Sequence, residues 1–94
     1  MTQAVHGSDQ IKLFEKPNFE GTVMEVTENI PSTLDYFSNR AVHSCRVLDG
    51  AWVFFEHPNY RGRQYLLEKG DYSCYTEWGA MYPTVGSIRH ITSY

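Results

Sequence analysis

The chain has 94 residues, 41% apolar and 15% aromatic, with 8 Lys and Arg against 11 Asp and Glu for a net charge of −3. That length supports one domain with a modest core, and the apolar fraction sets the chain apart from disordered sequences. Near-balanced charge without like-charge runs leaves no footprint for nucleic acid, and no apolar stretch reaches membrane-span length, so neither partner is expected.

Residues 1–10 are small and polar, broken by Gly7-Ser8-Asp9, and have neither the basic nor the apolar region of a signal peptide. They read as a linker or leader ahead of a cytoplasmic domain that begins near Ile11. Residues 11–15 and 22–26 alternate in the β-branched and aromatic manner of strands, with Pro17-Asn18 and Gly21 marking the bend of a hairpin. Residues 31–37 lack a clean period and read as a loop with one short helical turn. A strand over 42–48 follows, closed by the Asp49-Gly50 turn signal.

The plan then repeats. Residues 51–56 form a strand, Pro58-Asn59 a bend, 63–67 a strand, and Lys69-Gly70-Asp71 a turn. A loop over 72–84 holds Trp78 and Pro83, and residues 85–91 supply the last strand. No segment sustains a period of 3.6. Short strands at regular intervals predict an all-β domain, and two four-stranded units can cover each other's apolar face whereas two propeller blades cannot close a ring. The expected fold is therefore an eight-stranded sandwich of two sheets.

The repeat is sharpest at the bends. Phe14-Glu15-Lys16-Pro17-Asn18-Phe19-Glu20-Gly21 recurs as Phe55-Glu56-His57-Pro58-Asn59-Tyr60-Arg61-Gly62, with the aromatics, Glu, Pro-Asn and Gly at identical spacing. In a folded hairpin, Phe14 would pack on Phe19 and Phe55 on Tyr60. Gly21 and Gly62 would stand where a side chain clashes or φ is positive. Without a following helix or a Lys-Ser/Thr pair, these glycines do not make a phosphate loop.

On these motifs, together with Val42-His43-Ser44-Cys45, Leu48-Asp49-Gly50-Ala51-Trp52, residues 58–67 and Trp78-Gly79-Ala80-Met81, the chain resembles a βγ-crystallin domain over residues 11–91. It is most similar to the C-terminal domain of vertebrate lens gamma-crystallins. The resemblance implies two Greek keys, one over about 11–49 and the other over about 50–94. It gives Trp52 and Trp78 the place of paired buried tryptophans and Tyr72 that of the tyrosine closing the second key's corner. It also implies a domain interface, or self-association, through Val53, Leu66 and Ile91 flanked by Gln64 and Arg63. The implied role is structural: transparency and refractive index in the lens, to which polarisable aromatic and Arg side chains contribute.

Relatives outside the lens bind calcium through two Asn/Asp positions followed by Ser/Thr-Ser, because a hard cation needs several oxygen ligands. Here the two stretches are Asn39-Arg40-Ala41-Val42-His43-Ser44 and Tyr82-Pro83-Thr84-Val85-Gly86-Ser87, both degenerate. Neither a metal nor a cofactor is expected at Asn39, Ser44 or Ser87, and a calcium-binding module of a non-lens protein is the alternative. His6, His43, His57 and His90 lack metal-ligand spacing. Cys45 and Cys74 show neither a knuckle nor a redox motif and read as reduced packing residues. No nucleophile, base and orienting group stand together, so no catalytic residues are named and an enzyme is not expected.

Overall fold

The computed structural model describes residues 9–35 and 41–91. Within them run seven strands: β1 (Ile11–Lys16), β2 (Glu20–Val26), β3 (Ser44–Val47), β4 (Ala51–His57), β5 (Arg61–Leu67), β6 (Gly70–Tyr72) and β7 (Ser87–Ile91). They form two antiparallel sheets, one ordered β2-β1-β3-β6 and the other β5-β4-β7. Residues 36–40, which include Asn39 and the end of the loop expected over 31–37, lie outside the described residues, as do 1–8 of the expected leader.

The eight strands expected become seven among the described residues. The eighth position is a single bridge, Ile30 to Ile88, with both amides bonded at 2.8 and 2.9 Å. Pro31 follows at once and has no N–H, so the ladder cannot continue. A second difference lies at residues 69–72, expected as a turn and loop. Gly70 to Tyr72 instead form β6 against β3, where Cys45, Arg46 and Val47 supply the partners. The Gly-Asp pair carries a turn signature, but neighbouring strand edges overrode it.

The third segment of each half thus pairs with the other half's sheet. Ile30, from the first half, bridges β7, and β6, from the second, extends the sheet of β1 and β3. Neither half's sheet is complete alone.

Side-chain alternation sets the core. Ile11 and Leu13 of β1, Val26 of β2 and Cys45 and Val47 of β3 face Trp52 and Phe54 of β4, Leu67 of β5 and Ile88 of β7. All are buried, and each Val, Leu, Ile or Phe among them contributes about 1.5–3 kcal/mol relative to exposure. Trp78, at the end of a short 3-10 turn (Tyr75–Trp78), meets Phe54 edge-on with ring centres 5.2 Å apart. The twin bends stand at the ends of β1–β2 and β4–β5.

Candidate functional site

The repeated bends are the most chemically dressed part of the molecule, and each builds the same device. In the first, Asn18 and Phe19 both take left-handed backbone angles, φ 59° and 62°; in the second, Asn59 and Tyr60 do so at 61° each. Two successive positive φ values define the mirror-image turn that suits strand twist, and Asn tolerates the first position. An aromatic residue at the second is strained and must be held from outside.

Two fully buried serines hold it. Ser44 Oγ accepts the Phe19 N–H at 3.0 Å and donates to the Lys16 carbonyl at 2.6 Å. Ser87 Oγ accepts the Tyr60 N–H at 2.9 Å and donates to the His57 carbonyl at 2.7 Å. Each hydroxyl staples the two ends of its bend to the strand behind it, satisfying backbone groups that strand pairing leaves out.

The rings close over the staple. Phe14 meets Phe19 edge-on at 5.7 Å, and Phe55 meets Tyr60 at 5.6 Å. An Arg two residues beyond each serine covers the outer ring: the Arg46 guanidinium sits 4.1 Å from the centre of Phe19 and that of Arg89 5.6 Å from Tyr60. Gly21 and Gly62 sit at φ 81° and 88°, and a methyl on Gly62 would come within 2.7 Å of His57 Cδ2 and 3.0 Å of Glu56 Cβ. The bends also bond across the halves, Asn18 N–H to the Ser73 carbonyl and Asn59 N–H to that of Pro31, both at 2.9 Å.

The serine staples escaped sequence reasoning, which set Ser44 and Ser87 among calcium-pattern positions. The signal was present as Ser-x-Arg in both halves, Ser44 with Arg46 and Ser87 with Arg89. Among the described residues no three His, Cys, Asp or Glu side chains converge as a metal site would require. A cleft of about 200 Å³ beside the second bend is lined by Glu56, Arg63, Tyr65, Met81, Tyr82 and Thr84. It offers one carboxylate, where calcium takes six to eight oxygens, and its other charged lining residue, Arg63, is a cation.

The tryptophans and Tyr72 occupy the interior and its rim. Trp52 is fully buried, and its Nε1 donates to the Asp49 carbonyl at 3.1 Å. Tyr72 closes a loop on itself: its hydroxyl donates to the Glu68 carbonyl at 2.9 Å and accepts the Glu68 N–H at 3.2 Å. Its ring lies 6.3 Å from Trp78.

Val53, Leu66 and Ile91 share the outer face of the three-stranded sheet, since Val53 pairs with Leu66 and Ala51 with Ile91. Leu66 is 56% exposed, whereas Val53 and Ile91 are half-buried. Gln64, two residues from Leu66, lies on the same face. Arg63 does not: strand alternation turns it to the other side, into the cleft with Tyr65 and Met81, which corrects its expected place beside the apolar patch.

Both thiols are free. Burial, with Asp71 and Glu77 nearby, pushes the Cys45 thiol far above its ordinary range; hydrogen bonds from the Thr76 amide and hydroxyl lower that of half-exposed Cys74.

The comparisons converge on one architecture. The family model described as Beta/Gamma crystallin matches residues 10–91. Gamma-crystallin S of Cyprinus carpio is 55% identical over 92 residues, covering 97% of this chain and 53% of that protein. A beta gamma crystallin from Ciona intestinalis superposes with a TM-score of 0.83 at 27% identity, covering 87% of this chain and 99% of that one. The fifth crystall domain of the non-lens protein Absent in melanoma 1 gives 0.81 at 33% identity, covering 93% and 91%. The chain spans about half the length of the curated relatives it matches.

Proposed function

This chain belongs to the beta/gamma crystallin family, and on that premise we propose that it acts as a structural protein of the eye lens, of the gamma type, contributing transparency and refractive power. The observation that carries this reading is its 55% identity to carp gamma-crystallin S across 97% of the chain. The mechanism is physical. Transparency requires a protein that stays folded and dispersed when crowded, and the mixed-charge surface and interlocked sheets serve that end. Refractive power follows from polarisable side chains; 15% of residues are aromatic, and Arg46 and Arg89 are stacked on rings rather than spent on a ligand.

On the same reading the chain is not an enzyme and works in the cytoplasm. Its bends support this: both serine hydroxyls donate inward to backbone carbonyls, so neither is poised as a nucleophile. No helix of the described residues is long and apolar enough to cross a membrane. The outer-face patch around Leu66 serves to pair with a second βγ-crystallin domain or with another copy of this one.

The test combines optics and titration. The refractive increment should exceed that of a control domain of average aromatic and Arg content, solutions should stay clear as they are concentrated, and calcium should leave the melting temperature unchanged. A calcium-dependent rise in melting temperature with saturable heat would instead assign a metal-binding module of the non-lens kind.

A further inference from the structure

Asp9 and Gln10 precede the first strand, yet they are bonded into the domain at three places. The Gln10 carbonyl accepts the amides of Leu48 and Asp49 at 2.9 and 3.3 Å, and its side-chain amide donates to Glu25 Oε1 at 3.2 Å. The Asp9 carboxylate reaches His90 Nε2 at 2.8 Å.

His90 is itself held on two sides. Its ring lies 4.6 Å from that of fully buried Trp52, and its backbone N–H donates to Asn29 Oδ1 at 2.7 Å. The remaining wall is Gly50, at φ +81°, where a side chain would overlap the Asp9 carboxylate, with Asp9 Cγ only 2.6 Å from the position a methyl would take. The Asp49-Gly50 turn therefore leaves a notch that only a glycine leaves open, and an acidic side chain fills it.

We propose that Gly50, His90 and Trp52 form a docking notch for the segment leading into the domain, and that the Asp9–His90 contact locks this strap across the turn between the two halves. The His90 side chain is 19% exposed and that of Asp9 38%, so the contact is partly shielded from water and exceeds an open surface pair. The lock fixes where the chain enters the domain, at the Trp52-facing side of β7 beside the Asp49-Gly50 turn.

Amide hydrogen exchange of the full 94-residue chain tests the proposal. In Asp9→Ala and Asp9→Asn, the Leu48 and Asp49 amides, which are bonded to Gln10, should exchange at least about tenfold faster, as expected for loss of one charge-assisted hydrogen bond. Amides of β4 and β5 should keep their wild-type rates. Adding His90→Gln to Asp9→Ala should produce no further acceleration at those two amides. Wild-type rates at Leu48 and Asp49 in Asp9→Ala, or an additive double variant, would overturn the lock. If His90→Gln failed to fold, the Asp9 variants alone would decide, because Asp9 contributes nothing to the core.

Discussion

Ser87 Oγ links the Tyr60 amide to the His57 carbonyl with no access to water, so its loss leaves two backbone groups without a partner at a strained aromatic position. Ser87→Ala should cost about 1–3 kcal/mol in urea unfolding, and Ser44→Ala a similar amount, since the staples match atom for atom. Cys45 governs a different response. The buried thiol stays protonated in the folded state, whereas in the unfolded chain it ionises near pH 8.5. Its folded pKa is raised, so its stabilising contribution is complete below that pH and is lost as pH rises above it. In a Cys74→Ala background, unfolding free energy should fall between pH 8.5 and 10 by up to about 1.4 kcal/mol per pH unit. Adding Cys45→Ala should flatten that decline.

At the level of elements, each bend couples a strained two-residue turn to the strand that carries its serine and Arg. Gly62 lets the chain leave the second bend into β5 at φ 88°, with His57 and Glu56 packed where a side chain would stand. Gly62→Ala is expected to destabilise the domain by about 1–3 kcal/mol, with the loss appearing in thermal melts and the Tyr60 resonances shifted more than those of Phe19. The bends were readable from sequence because their residues are local and repeated. β6 was not: Gly70-Asp71 signals a turn, and only the open edge of β3 makes it a strand. The bridge at Ile30 was equally hidden, because one residue ahead of a proline carries no periodicity.

At the scale of the whole molecule, the exchange of third segments joins the halves into one unit and leaves an outer sheet face with Leu66 56% exposed. If that face pairs with a second domain or copy, sedimentation of the wild type should show concentration-dependent association that Leu66→Asp suppresses. A monomer for both proteins at every concentration would remove the patch from consideration. Leu66→Asp should leave the melting temperature nearly unchanged, because the side chain lies outside the core.

The sequence alone determined the class of fold, the twin bends, the aromatic pairs at Phe14–Phe19 and Phe55–Tyr60 and the need for glycine at 21 and 62, because all of these follow from short-range pattern and backbone sterics. Only the tertiary structure decided what Ser44 and Ser87 do, which side of β5 carries Arg63, where β6 and Ile30 pair, and that Asp9 reaches His90. Each of those depends on which distant strand edge or side chain arrives beside the residue, and contacts between residues far apart in the chain leave little trace in local composition.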